Sequence, residues 1–328
     1  MKDTLRKLCE AYGPSGNEGQ VRDLIRSEIE GLADSVRVDA LGNLIAVKGS
    51  GGHRVMLAAH MDEIGVIITH IDENGFLRFA PVGGVWTLGL SGRRVAFADG
   101  TIGAIGLEKL DDRDRVPAMA KFYIDIGASK KDEVHLKVGD MAVMTRPFVT
   151  NGGRWIGKAM DNRAGCAVLI ETMRRLKAPK HEVAFVFTTQ EEVGLRGATT
   201  SAFGLDPEIA VAVDVTGTGD TPKAAPMAVS LGEGAAIKVR DGGMLAHLGV
   251  KDLLVQRAEE NGIAYQLEVL EGGTTDGRAI QTSRAGVPTG VVSVPTRYIH
   301  SPSEMIDERD AEACASLLVV LLENDITL

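Results

Sequence analysis

The sequence predicts an α/β protein: a mostly parallel sheet with helices on both faces, interrupted by a small β-barrel. Three observations carry this reading. Short apolar runs at Arg54–Ala59, Val183–Phe187, Ile209–Val215 and Thr289–Val294 alternate with helix-patterned stretches at 164–176, 251–261 and 308–323, the order of a parallel sheet packed between helices. From Gly65 to about Trp155 the chain changes to short alternating strands broken by glycine and charged turns, without a helical stripe, as in a small barrel or sandwich. The α/β texture then resumes near Ala159. Residues 1–66 and 156–328 are therefore expected to form one α/β domain, and 67–155 an inserted β-rich domain.

The elements follow in order. Leu5, Leu8 and Cys9 line one face of a first helix over 3–12, stopped by Gly13-Pro14-Ser15-Gly16. Val21, Leu24, Ile25 and Ile29 mark a second over 18–31, and a hairpin spans Val36–Val47 with its turn at 41–44. Arg54–Ala59 is a buried strand that runs directly into His60-Met61-Asp62-Glu63. Inside the insertion, strands are expected at Phe76–Phe79, Arg94–Phe97, Thr101–Gly106, Phe122–Asp125 and Met141–Met144. Beyond it come the helix 164–176, strands 183–189 and 209–215, helix 251–261, strand 266–270, a short helix 276–284, strand 289–294 and helix 308–323.

A net charge of −9 argues against nucleic acid or an anionic membrane as the main partner. Cys9, Cys166 and Cys314 are odd in number and lack metal-type spacing, which points to a reducing compartment, the cytoplasm. The charged N-terminus lacks the apolar core of a signal peptide, and Leu317–Leu322 is too short an apolar run to span a bilayer.

Chemistry-bearing residues collect at the ends of these elements. His60 and Asp62 follow one strand, Glu191 and Glu192 another, and Asp214 interrupts a third. The strand at 289–294 leads to His300, and Asp161 stands at a helix start, where by itself it reads as an N-cap. A parallel sheet brings all of them to one edge, the crevice where α/β proteins bind ligands. Imidazoles and carboxylates without thiolate suit zinc, cobalt or manganese in a catalytic role. Five ligands divide over two ions if one carboxylate bridges and each ion adds one histidine and one further carboxylate. Two ions about 3.5–4 Å apart activate a shared water. Of Glu191 and Glu192, one can bind metal while the other takes the water's proton. Asp62 can accept the second ring N–H of His60.

Five stretches together resemble the dinuclear metallo-aminopeptidases of the glutamyl and tetrahedral (TET) aminopeptidase family. They are Ala59–Gly65, Lys158–Arg163, Gln190–Gly194, Val213–Thr216 and Tyr298–Pro302, and the likeness extends over essentially the whole chain. The resemblance implies a zinc-exopeptidase core of the phosphorylase/hydrolase-like kind. It also implies Asp161 as the bridging ligand, His60 and Asp214 at one metal, Glu192 and His300 at the other, Glu191 as general acid/base and Asp62 behind His60. Short peptides would be the substrates and the inserted domain would build a homo-oligomer, from a dimer up to a tetrahedral dodecamer.

Three other readings compete. A related di-metal amidase or carboxypeptidase would use the same core. An endoglucanase needs carboxyls about 5–10 Å apart on opposite sides of the bond, whereas Glu191 and Glu192 are neighbours; aromatic content of 4% also leaves few platforms for sugars. A non-catalytic peptide- or metal-binding protein would have no use for a filled base position. The loops at Gly272–Asp276 and Arg240–Gly243 are expected to wall the substrate pocket.

Overall fold

In the computed structural model, which describes residues 1–110 and 116–328, helices α1 (Lys2–Glu10) and α2 (Gly19–Glu28) open the chain. The hairpin of β1 (Ser35–Val38) and β2 (Leu44–Lys48) follows, then β3 (Arg54–His60). Asp39 shapes the hairpin turn: its Oδ1 accepts from the backbone N–H groups of Leu41, Gly42 and Asn43, each at 3.0 Å.

Six strands then close a barrel, settling the choice between barrel and sandwich. These are β4 (Gly65–Ile71), β5 (Leu77–Val82), β6 (Arg94–Phe97), β7 (Ile102–Leu107), β8 (Phe122–Asp125) and β9 (Met141–Met144), in the order β4-β5-β8-β7-β6-β9. Closure removes the exposed edges that an isolated small sheet would present. Val66, Ile68, Leu77, Phe79, Val95, Phe97, Ile105 and Ile124 alternate inward to give the barrel its own core.

The chain leaves the barrel through β10 (Val149–Asn151) and β11 (Arg154–Gly157), which pair with the main sheet. It continues with α3 (Met160–Arg175), β12 (Glu182–Thr188), α4 (Arg196–Leu205), β13 (Ile209–Thr216) and β14 (Ala235–Arg240). Then come α5 (Leu248–Glu260), β15 (Tyr265–Val269), α6 (Asp276–Gln281), β16 (Thr289–Arg297), β17 (Glu304–Asp307) and α7 (Glu308–Glu323). The main sheet runs β1-β2-β12-β3-β13-β16-β17-β11-β10, with β14 beside β16 and β15 beside β14.

The sheet is mixed. Its centre, β12-β3-β13-β16, is parallel, and antiparallel strands extend it on both sides. Period-two burial explains the layers. Val55, Leu57 and Ala59 face the core shared with α1, α2, α3, α5 and α7, while Met56 and Ala58 face the core shared with α4 and α6. Phe185 and Phe187 join the first core and Val186 the second. Each Val, Leu, Met or Phe among them, taken fully from water, contributes about 1.5–3 kcal/mol. Among the described residues, no helix is long and apolar enough to cross a membrane.

Candidate metal centre

Strand register sets the site. Thr188 lies opposite His60 and Ala212 opposite Ala58, so β12, β3 and β13 end nearly level. Asp214, opposite Ser293 of β16, thereby comes to the same rim as His60. Past β16 the chain turns at Tyr298 and His300, which hold left-handed φ values of 61° and 62°. Gln190 (φ 54°), just before Glu191, and Ala159 (φ 54°), just before Met160 and Asp161, are left-handed too. Such non-glycine conformations cost about 1–3 kcal/mol each and persist only where the surroundings enforce them. Here four of them aim the chain ends into one crevice.

Asp161 is not a helix cap. Its backbone is non-helical, and the capping role passes to its neighbour: Asn162 Oδ1 accepts from Gly165 N–H at 3.0 Å. The Asp161 carboxylate is thus left to face the site. Its Oδ1 lies 3.0 Å from His60 Nε2 and its Oδ2 lies 3.3 Å from His300 Nε2. His300 Nε2 is also 3.2 Å from Glu192 Oε1. His60 Nε2 is 3.7 Å from Asp214 Oδ1 and 3.8 Å from Glu191 Oε2. Two overlapping triads, His60–Asp161–Glu192 and His60–Glu191–Asp214, hold donor atoms within 4.8 Å of one another, a spacing that could seat metal ions.

Asp62 lies beneath this group, fully buried. Its carboxylate accepts from Ser15 Oγ at 2.6 Å and from the N–H groups of Glu191 (3.0 Å) and Glu192 (3.2 Å). His60 Nδ1 is 3.2 Å from the Asp62 carbonyl oxygen and 3.4 Å from its Oδ1. Asp62 therefore braces the His60 ring and the Glu191–Glu192 turn together.

Four carboxylates and two imidazoles share this small volume, and their protonation reflects it. Burial, reinforced by neighbouring carboxylates, raises Glu191 and Asp214 well above the usual carboxylate range and raises Glu192 as well. Against burial, hydrogen bonds to His300 and His60 keep Asp161 low. Burial likewise opposes charge on His300, but Asp161 and Glu192 outweigh it and push the ring up to about 11. His60 moves well upward for the same reason: burial is overcome by Glu191, Asp161 and Asp62. Excess negative charge is the physical signature of a site that takes cations.

The adjoining cavity, of about 660 Å³, is lined by His60, Glu191, Asp214 and His300 on one side and by Thr216, Thr274 and Arg278 on the other. Gly273, Thr274 and Thr275 of the expected pocket loop do line it. The Arg240–Gly243 loop does not. It supports from behind, with Gly242 N–H donating to Gly273 carbonyl at 3.0 Å and Thr274 Oγ1 donating to Asp241 Oδ1 at 3.2 Å.

These contacts make the comparison with known proteins decisive. The M42 glutamyl aminopeptidase family matches residues 42–317. The chain belongs to that family. It is thereby an aminopeptidase, a hydrolase of peptide bonds. A relative from Acetivibrio thermocellus is 48% identical over 322 residues, covering 97% of each chain. An aminopeptidase from the archaeon Desulfurococcus kamchatkensis superposes with a TM-score of 0.95 at 40% identity, covering 99% of this chain and 94% of its own. The Pyrococcus horikoshii TET1 peptidase, which can assemble into a tetrahedron or a large octahedral shell, superposes at 0.89 with 35% identity and 98% coverage of both chains.

Sequence reasoning passed over several supporting residues. Glu304, on β17, is buried and accepts from the backbone N–H of Asp161 at 3.0 Å and of His300 at 2.8 Å. It was invisible because β17 is only four residues long and Glu304 looks like an ordinary loop acid. Asp276 was read as pocket wall; it is buried, accepts from Thr188 Oγ1, and burial pushes it up to about 6. Glu18 accepts from Gln190 N–H at 3.2 Å, so the segment after α1 braces the Glu191–Glu192 turn. A Ser and a Glu beside a helix stop signal gave no hint of that.

Proposed function

We propose that this aminopeptidase removes N-terminal residues from short peptides with two divalent cations, zinc or cobalt, with manganese also accommodated. The observation that carries the reading is Asp161, whose two oxygens each face a different histidine, 3.0 and 3.3 Å away. On this reading Asp161 bridges, His60 and Asp214 complete one position, and Glu192 and His300 the other. The donor set fits such ions: imidazole and carboxylate, no thiolate, and more negative charge than the two rings can balance. When bound, two such ions would acidify a shared water and polarise the scissile carbonyl.

The chain's own groups do the rest. Glu191, carried at the cavity wall, takes a proton from the attacking water and delivers it to the leaving amine. A carboxylate with an upward-shifted pKa suits both halves of that transfer. Asp62 fixes Glu191 through its backbone N–H and holds the His60 ring in orientation. Crowding of the carboxylates within 4.8 Å triads also disfavours glycoside hydrolysis, which needs two carboxyls about 5–10 Å apart across the bond.

We assign residues 1–66 and 156–328 to catalysis and 67–155 to assembly, except that β10 and β11 belong to the main sheet. Trp86 and Leu88 in the barrel are 70% and 71% exposed, apolar area that a second copy would cover. A homo-oligomer in the cytoplasm is the proposed state; the three cysteines are free and buried, as a reducing compartment allows. The test is to strip the protein with a chelator, measure bound metal, and assay aminoacyl chromogenic substrates before and after adding zinc or cobalt. Activity should vanish and return, with two metal equivalents regained; full turnover by metal-free protein would overturn the reading.

A further inference from the structure

We infer that the barrel is itself a wall of the metal centre: Gly84, in the loop leaving β5, is a positioning residue for His300. The inference rests on the reading of His300 and Glu192 as ligands of one metal position.

Two glycines carry it. β5 ends at Val82, and Gly83-Gly84 follow at once. A Cβ built on Gly84 would stand 2.6 Å from both Cε1 and Nδ1 of His300. One built on Gly83 would stand 2.9 Å from Ile64 Cγ2, 3.2 Å from Glu192 Cβ and 3.3 Å from Glu192 Oε2. Real Cβ atoms do not approach heavy atoms at 2.6 Å, so the bare backbone of Gly84 is in contact with the imidazole edge. Gly83 also needs glycine for its φ of 77°. Adjacent residues of the barrel loop therefore touch the two side chains that share one proposed metal position.

The His300 ring has little room to yield. Its Nε2 is held between Asp161 Oδ2 at 3.3 Å and Glu192 Oε1 at 3.2 Å. Its backbone is left-handed and tied through its N–H to Glu304 Oε1 at 2.8 Å. Gly84 lies against its Nδ1–Cε1 edge. A methyl group at 84 must either rotate the ring away from Asp161 and Glu192 or push the loop outward, and the barrel strand that carries the loop resists the second. Glycine elsewhere in this loop does no such work: nothing lies within 4 Å of a Cβ built on Gly92.

The experiment is a double-mutant cycle on the full-length protein, read as Tm after chelation, with Gly84→Ala, His300→Ala and the pair. Gly84→Ala should lower the metal-free Tm by a few degrees, as overpacking does, and most of that loss should disappear when His300 is already alanine. An equal loss in both backgrounds overturns the inference. Failure of both Gly84→Ala proteins to fold overturns it too, because the cost then lies outside the ring; folding of the double variant alone supports it. Metal titration supplies a second readout. Gly84→Ala should weaken one metal equivalent about 10–100-fold and leave the other near wild type, whereas Ser91→Ala, at an exposed position of the same loop, should change neither; uniform weakening of both, or of none, counts against it. If wild-type protein binds no metal while the Tm cycle remains non-additive, the proposed function fails and the contact between Gly84 and His300 stands.

Discussion

Glu63 lies three residues beyond His60, and Lys158 three before Asp161, yet the two pairs build clusters of opposite electrostatic character. Glu63 meets Lys158 Nζ at 2.7 Å from both carboxylate oxygens and Arg163 Nη2 at 3.3 Å, all of them buried. Arg163 also donates to the Leu8 carbonyl at 2.6 Å and Lys158 to the Ala11 carbonyl at 3.1 Å, tying α1 to α3. One carboxylate with two cations is a self-contained structural unit. The rim cluster has four carboxylates and two imidazoles, and burial raises Glu191 and Asp214 well above the usual carboxylate range. Burial alone therefore does not distinguish the two clusters; the sign of the charge left after every partner is counted does.

Four outcomes would break or sharpen that contrast. The largest effect is expected for Asp161→Asn, which removes the group shared by both histidines: bound metal should drop and peptide turnover should fall further than in any other single variant. Elemental analysis showing both metal equivalents retained would remove Asp161 from the bridging role. Next, Glu191→Gln should keep both metals but lose about 10²–10⁴-fold in kcat; unchanged turnover would take the acid/base role from Glu191.

The Glu63 cluster should respond in the opposite way. Glu63→Gln strands two buried cations and should cost about 3–5 kcal/mol of stability, seen in denaturant unfolding. The protein that remains folded should still take up metal. Loss of metal binding without loss of stability would mean that the two clusters are not separable.

The last outcome concerns pH. Burial disfavours the charged His300 ring, but Asp161 and Glu192 prevail and lift its pKa from 6.5 to about 11. A group raised on folding contributes fully below its unfolded value and is lost as pH rises through its folded value. The metal-free protein should thus lose Tm between about pH 6.5 and 11 more steeply than His300→Ala. Parallel slopes for the two proteins would show that the ring is not stabilised by its acidic neighbours.

Much of this was legible in the residues. The apolar runs of β3, β12, β13 and β16 follow from burial on both faces, and the broken texture of the barrel from alternation and turn chemistry, all of which are local. So the elements that present His60, Glu191, Glu192, Asp214 and His300 could be named, and with them the rim they share. Three elements were less visible. β14, β17 and α4 lack a clean apolar signature, because β17 is short and α4 is rich in small and polar residues.

The sequence by itself determined the kinds of donor available and the strand ends that carry them, since both depend on composition and local periodicity. Only the tertiary structure decided what each donor does. Asn162 takes the cap and frees Asp161, Glu304 ties the backbones of Asp161 and His300, and Asp62 joins Ser15 to the Glu191–Glu192 turn. Gly83 and Gly84 bring the barrel against Glu192 and His300. These contacts join residues far apart in the chain, and their geometry is set by strand register and close packing, which no local pattern encodes.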